Sequence, residues 1–322
     1  MRSENIHKIL FITLTNIGDV ILTLPVLAEL RRVFPSAKID VIVGPRPKEV
    51  FEKDPRVNEI FVYDKHSSLG DKIKLIKKLR GRRYDLAIDM RGSLFPFLAG
   101  ARKGTALLKR KTGKSRHKRF IHLSKLNSIG LEPVNGAGIY IDNKSKEDIK
   151  NILEKNGIRD GDKLIGVSPW SRGTLKEWYR EGIVSVIKGV EEMGHYKIVL
   201  IGDEGAGRQA AEIRDSVSAG NVIDLTGKTG LRQLFALIER LELLLTCDSA
   251  NLHIASDLGI RTVALFGPTD SEEYGPLAAG SVVIRKELGC SPCKKAVCAP
   301  GHHECMRGIT SEEVLEAIRK IL

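Results

Sequence analysis

The sequence predicts an α/β protein made of two doubly wound parallel sheets, and three observations predict it. Short apolar runs rich in Val, Ile and Leu alternate with segments of helical period, which is the pattern of successive βα units. The alternation stops over residues 142–162 and then restarts. The chain also carries 31 glycines in 322 residues with 42% hydrophobic and only 5% aromatic content, which suits many tight βα turns. A chain of this length accommodates two domains of ordinary size.

In order, Lys8–Thr13 (KILFIT) reads as the first strand, followed by a loop ending at Gly18. Asp19 opens an amphipathic segment that runs to Phe34, and Pro25 inside it predicts a kink or a restart. Lys38–Val43, Glu59–Tyr63 and Asp85–Asp89 are further strands, and Asp71–Leu79 is the clearest helix between them. Residues 101–120 follow neither period and read as a loop. The stretch 142–162 combines a polar lead-in, one short helix and a Gly-rich exit, and marks the domain junction. Strands then recur at Lys163–Val167, Lys197–Ile201, Val222–Leu225, Leu243–Leu245, Thr262–Phe266 and Ser281–Arg285. Between them lie helices near 178–193, 207–218, 231–241 and 250–258, the last stopping at Gly259. Thr310-Ser311-Glu312-Glu313 is a capping box that opens the C-terminal helix. Two Rossmann-like domains, 1–158 and 159–322, are expected to face a cleft, with ligands beyond the carboxyl ends of the strands.

No run approaches the roughly 18–20 apolar residues that span a bilayer. The polar N-terminus enters a strand directly, so no signal peptide is expected and a cytoplasmic location follows. The formal charge of +12 is concentrated: residues 90–131 hold eleven Lys and Arg and no acidic residue. That surface implies an anionic partner: nucleic acid, an acidic membrane face or a phosphorylated substrate.

The unit Leu241–Asp270 reads as strand, tight loop, short helix, strand, with the loop opening onto a helix N-terminus. First-turn N–H groups there lack backbone partners and the helix dipole adds positive charge, so an anion is favoured. Asp248 or Ser249 would cap that helix, and Ser249 and His253 stand four residues apart on its face. Ser168–Trp178 (SPWSRGTLKEW) also follows a strand, and its hydroxyls with Arg172 and Lys176 suit a diphosphate pocket. Gly202–Gly207 fits no dinucleotide fingerprint, although Glu204 at its strand end is placed to reach a ribose hydroxyl. Gly227-Lys228-Thr229 fails as a P-loop because its required first glycine is Val222. Cys290, Cys293, Cys298 and Cys305 are spaced C-x2-C-x4-C-x6-C, with His302 and His303 inside, which suits a structural zinc. Cys247 reads as a small buried residue at a strand end.

Together these motifs resemble glycosyltransferase family 9, the ADP-heptose:lipopolysaccharide heptosyltransferases. The resemblance rests on Ile17-Gly18-Asp19-Val20 with Thr23-Leu24-Pro25, on Ser168 with Lys176-Glu177-Trp178, on Asp248–His253, and on Ala264–Asp270. The cysteine run with Gly301-His302 and Cys305-Met306 is similar to that of heptosyltransferase II-like members. The resemblance implies a GT-B architecture and inverting, metal-independent transfer of heptose from ADP-heptose to the lipopolysaccharide inner core. It implies Asp19 as general base, and Lys176, Ser171, Thr174, Asp248, Ser249, Ala250 and His253 around the donor diphosphate. Ala250 replaces the family's usual glycine, and Arg91 stands where Gln is common. The acceptor is then an anionic lipid at the cytoplasmic face of the inner membrane, met by Arg91, Lys109, Arg110, Lys111, Arg116 and Arg119. A nucleotide-sugar epimerase, a relative with another donor, and a basic nucleic-acid-binding protein are the rival readings. The last lacks the aromatics that base stacking needs.

Overall fold

The computed structural model describes residues 6–105, 115–217 and 220–322. The chain divides into two compact units, Met1–Tyr140 and Ile141–Leu322.

In the first unit the elements are β1 (Lys8–Ile12), α1 (Ile17–Ile21), α2 (Leu24–Val33), β2 (Lys38–Val43), β3 (Glu59–Val62), α3 (Leu69–Arg82), β4 (Leu86–Asp89), α4 (Phe95–Leu98), β5 (Lys103–Gly104) and α5 (Lys118–Ser124). The strands form one parallel sheet in the order β3-β2-β1-β4-β5. Helices cover both faces of such a sheet, so its central strands read as continuous apolar runs. Ile9, Leu10, Phe11 and Ile12 of β1 are accordingly fully buried. Asp40 is buried in β2 and its carboxylate accepts from Tyr84 Oη at 2.8 Å and Asn58 Nδ2 at 2.7 Å. Burial, with the Asp40 charge beside it, pushes the Tyr84 hydroxyl pKa well up.

The second unit contains α6 (Asn143–Lys155), β6 (Lys163–Ser168), α7 (Arg180–Glu191), β7 (Tyr196–Leu200), α8 (Gly207–Arg214), β8 (Val222–Asp224), α9 (Leu231–Glu239), β9 (Leu243–Cys247), α10 (Ala250–Leu258), β10 (Thr262–Phe266), α11 (Ser271–Tyr274), β11 (Val282–Arg285), α12 (Glu304–Arg307) and α13 (Ser311–Ile321). Its sheet is also parallel, in the order β11-β10-β9-β6-β7-β8. Gly259 ends α10 in the left-handed region at φ 76°, where a side chain would be strained. The capping box opens α13 as expected, with Thr310 accepting from Glu313 N–H and Glu313 reaching back.

The structure refines the sequence reading at four places. The amphipathic stretch after Asp19 is two helices, α1 and α2, because the Thr23 hydroxyl donates to Val20 O at 2.7 Å and Pro25 falls in the first turn of α2, where no N–H is needed. The stretch 101–120 is not wholly loop: β5 and the start of α5 lie in it. Short α4 carries too few residues to show a period. The boundary between units lies earlier than the expected residue 158, since α6 packs against α9 of the second unit. Asp142 there pairs with Arg232 at 3.0 Å and Lys146 with Glu239 at 2.7 Å. Among the described residues no helix is long and apolar enough to cross a membrane.

Asp142 supplies a test of that docking. Burial alone would raise its pKa, but the Ser145 hydroxyl and N–H and the Arg232 guanidinium outweigh burial and bring it down to about 2. An unfolded aspartate titrates near about 4, so this stabilisation is complete above that pH and disappears as pH falls through about 2. Urea unfolding of Asp142→Asn should show a flatter acid limb than wild type over that window. An identical acid limb would mean that the pair does not contribute.

Candidate active site

Strand order reverses between β6 and β9 in the second unit, and between β1 and β4 in the first. Loops diverge above such a point and leave a crevice beyond the carboxyl ends of the strands. The register pairs Ser168 with Thr246, so the loops after β6 and β9 leave the sheet side by side.

These two loops meet through charge. Lys176 sits on a one-turn 3-10 helix (Thr174–Lys176), and its Nζ lies 2.7 Å from Asp248 Oδ2. Asp248 is buried, whereas the Lys176 side chain keeps 32% of its exposure. Ser171 Oγ donates to the Asp248 carbonyl at 3.2 Å, and Ser171 N–H donates to Glu177 Oε1 at 3.3 Å. Burial raises the Glu177 pKa and the Asp203 charge adds to it, against the Ser171 N–H. The loop is anchored from behind: Trp178 Nε1 and Tyr179 Oη both donate to Ile309 O, and His303 Nε2 donates to Leu175 O at 2.6 Å. Thr174 stands on the same turn as Lys176.

Ser249 occupies the N-cap position of α10, but its side chain makes no capping bond and instead meets Thr246 Oγ1 at 3.2 Å. Asp248 does not cap either, being held by Lys176. Among the described residues neither side chain therefore caps α10, and the first-turn N–H groups of a helix lack intrahelical partners, the condition that favours an anion. Leu252, Ile254 and Ala255 pack inward, and His253 is buried too, its ring 6.1 Å from that of Tyr274. Glu204 is exposed after β7, one strand from β6. Asn251 was not singled out from the sequence; its Nδ2 donates to Ser168 Oγ at 2.7 Å and ties α10 to the end of β6. The signal was its place one residue inside the helix start.

In the first unit Asp19 is half-buried in the first turn of α1, and its Oδ2 accepts from Asn16 Nδ2 at 3.0 Å. Across the switch point, Asp89 ends β4 and its carboxylate accepts from Arg91 N–H at 2.7 Å and the Ser93 hydroxyl at 2.8 Å. Lys125 Nζ donates to Asp89 O and Met90 O, and Arg91 lies over the Tyr63 ring at 5.2 Å. Burial lowers the His122 pKa to about 3, and Lys125, Lys118 and His117 push the same way.

Two expectations need correction. Arg119 does not offer its guanidinium to an acceptor: it is buried, with Nε donating to Asn135 Oδ1 at 2.7 Å and Nη2 to Gly136 O at 2.6 Å. Arg116 is exposed, and Lys109, Arg110 and Lys111 lie outside the described residues. The metal centre expected of Cys290, Cys293, Cys298 and Cys305 is not assembled. All four line one cavity of about 240 Å³ with His302 and His303, yet among the described residues no group of three or more His, Cys, Asp or Glu is arranged to hold an ion. Cys305 is buried on α12 against Gly267, while the other three sit on the preceding loop, and Cys290 Sγ comes no closer than 3.9 Å to His302 Nε2. Cys247 is fully buried, as expected, and burial pushes its thiol pKa well up.

Two doubly wound α/β units, each with polar residues gathered at its own switch point, are the GT-B architecture of nucleotide-sugar glycosyltransferases. The model of glycosyltransferase family 9 (heptosyltransferase) matches residues 119–303, more than half of the chain, and the chain belongs to that family. It is similar to lipopolysaccharide heptosyltransferase 3 of Escherichia coli, 27% identical over 337 residues covering 95% of each protein. Among solved structures it resembles a family 9 glycosyltransferase from Veillonella parvula at TM-score 0.85 and 25% identity, covering 98% of this chain and 97% of that one. It also resembles the ADP-heptose heptosyltransferase II of E. coli at TM-score 0.77 and 24% identity, covering 98% of each.

The Lys176–Asp248 pair carries its own test. Asp248→Asn removes the carboxylate that occupies the ammonium, a partly exposed pair of about 1 kcal/mol. Inorganic pyrophosphate should then bind about fivefold more tightly by calorimetry. Unchanged binding would show that Lys176 does not face the anion, and weaker binding that Asp248 matters more for orienting Lys176 than for occupying it.

Proposed function

We propose that this glycosyltransferase moves a heptose from ADP-heptose to the inner core of lipopolysaccharide, with inversion at the anomeric carbon. The observation that carries this reading is the Lys176 ammonium held at the β6/β9 switch point beside the start of α10. A diphosphate departs with growing negative charge, and a lysine with fixed backbone N–H donors stabilises that charge by a route that calls for no metal. In this reading Lys176, Ser171, Thr174, Ser249, Ala250 and His253 serve the donor diphosphate. Asp248 holds Lys176 in place until the nucleotide arrives, and Glu204 serves the ribose.

A sugar hydroxyl is a poor nucleophile, so a base must take its proton as the new bond forms. Asp19 is the proposed base, and the Asn16 amide fixes one of its oxygens and leaves the other for the acceptor. Arg91 and Arg116 serve the phosphorylated acceptor, and the enzyme works as a peripheral protein on the cytoplasmic face of the inner membrane. The concentration of Lys and Arg in the first unit supports an anionic acceptor there.

Asp19→Asn should lower heptose transfer by about 10²- to 10⁴-fold, the usual contribution of a general base, while ADP affinity stays at the wild-type value. Lys176→Ala should weaken both transfer and ADP binding. Full transfer by Asp19→Asn would remove the proposed base. Conversion of the nucleotide sugar without any acceptor would point to an epimerase instead.

A further inference from the structure

Helices α3 and α4 pack on the same side of the first sheet. Leu75 and Leu79 of α3, Phe95 of α4 and Ala99 just after it share one apolar cluster with Leu10, Ile12 and Phe61. Their outer sides therefore face away from that sheet together. On α3, Leu69, Ile73, Lys77 and Arg80 follow at helical spacing, and all four are exposed. On and just before α4, Phe97 is 75% exposed and Leu94 60%. The Arg80 side chain of α3 comes close to the turn that follows α4. Arg80 lies 3.9 Å from where a side chain at Gly100 would begin, and Gly100 closes the turn onto Phe97 O.

The charge here is one-sided. Helix α3 holds six Lys and Arg against Asp71 alone, and residues 69–104 hold ten against three acidic residues. Lys78 and Arg82 are engaged by Glu59, but among the described residues Lys77 and Arg80 make no ion pair. Apolar side chains that stand out of a field of cations suit a negatively charged lipid surface, where the rings and aliphatic chains enter the acyl boundary and the cations meet headgroups.

The geometry points to the outer side of α3 and α4 as the face that docks on an anionic bilayer, with Phe97 and Leu94 inserted and Lys77 and Arg80 on the phosphates. This rests on the reading of the enzyme as a peripheral membrane protein with a lipid acceptor, and names the surface responsible. It uses none of Arg91, Lys109, Arg110, Lys111, Arg116 and Arg119, the residues assigned to the acceptor.

The test is sedimentation of the full chain with protein-free vesicles, either pure phosphatidylcholine or phosphatidylcholine mixed equally with phosphatidylglycerol. Wild type should bind only the anionic vesicles. The double variant Leu94→Ser, Phe97→Ser should bind them at least about tenfold more weakly, and each of Lys77→Glu and Arg80→Glu about fivefold or more. These side chains are exposed, so ADP affinity and transfer to a soluble, deacylated acceptor should match wild type in every variant. If wild type binds the vesicles and the variants bind equally well, the face is wrong but the membrane reading stands. If wild type transfers to the soluble acceptor but binds no vesicle, both the face and the membrane reading fall, and a protein partner becomes the better occupant. If it transfers to no acceptor, the transferase reading itself fails.

Discussion

A parallel sheet joined by right-handed crossovers must place every βα loop at the same end, and this constraint governs both units. No hairpin is available, so each strand's carboxyl end opens into a loop that leads to a helix N-terminus. When strand order reverses, two of those loops part company and polar side chains can point into the gap without crowding the core. Ser168 and Thr246 sit in register at one such reversal, and Lys176 and Asp248 meet just above them. Asp19 and Arg91 follow β1 and β4 at the other. The gathering of these polar side chains is thus a consequence of chain order more than of any single motif.

That constraint explains which parts of the molecule were legible from sequence. The main strands and most helices follow from apolar runs and helical period because a sheet buried on both faces demands nearly unbroken Val, Ile and Leu. Ser171, Lys176, Asp248 and Ser249 were legible because polar residues directly after such runs fall at the carboxyl end of the sheet. What the sequence did not reveal depends on packing between distant segments. Arg119 looked like part of a solvent-facing basic run, but Asn135 and Gly136 sixteen and seventeen residues on turn it inward. The two-residue β5 and four-residue α4 are too short to show a period. Helix α6 carries ordinary amphipathic spacing, and its packing on α9, with Glu239 on Lys146, Gln233 on Asp148 and Arg232 on the N-cap Asp142, says which unit owns it.

The cysteine run shows the same limit from the other side. Its spacing is that of a ligand set, and all four thiols do gather around one cavity. Spacing fixes neighbours along the chain, not the direction of each Sγ. Cys305 is committed to the apolar contact of α12 with β10, beside Met306, and burial together with the nearby thiols keeps its own thiol pKa raised. The loop's remaining role visible here is mechanical. His303, between Cys298 and Cys305, donates to Leu175 O, so the cysteine segment itself holds the turn that carries Lys176.

The distribution of charge separates two ways of attracting an anion. The first unit carries 28 Lys and Arg against 13 Asp and Glu, whereas the second carries 24 against 27. The second unit, proposed to bind a nucleotide diphosphate, is therefore slightly acidic. It has no need of a broad positive field, because a helix terminus and one oriented lysine act within a few ångströms and gain strength as water leaves. Asp248 is what keeps that lysine oriented, at the cost of occupying it. The first unit has the opposite problem. A large anionic surface offers no pocket to organise around, so attraction must come from many cations summed over distance, a field that salt screens within about 10 Å. Such a field sets approach and orientation but discriminates poorly. Apolar side chains standing among the cations, such as Phe97 and Leu94, supply the missing selectivity, since an acyl layer accepts them and a nucleic acid or a soluble polyanion does not.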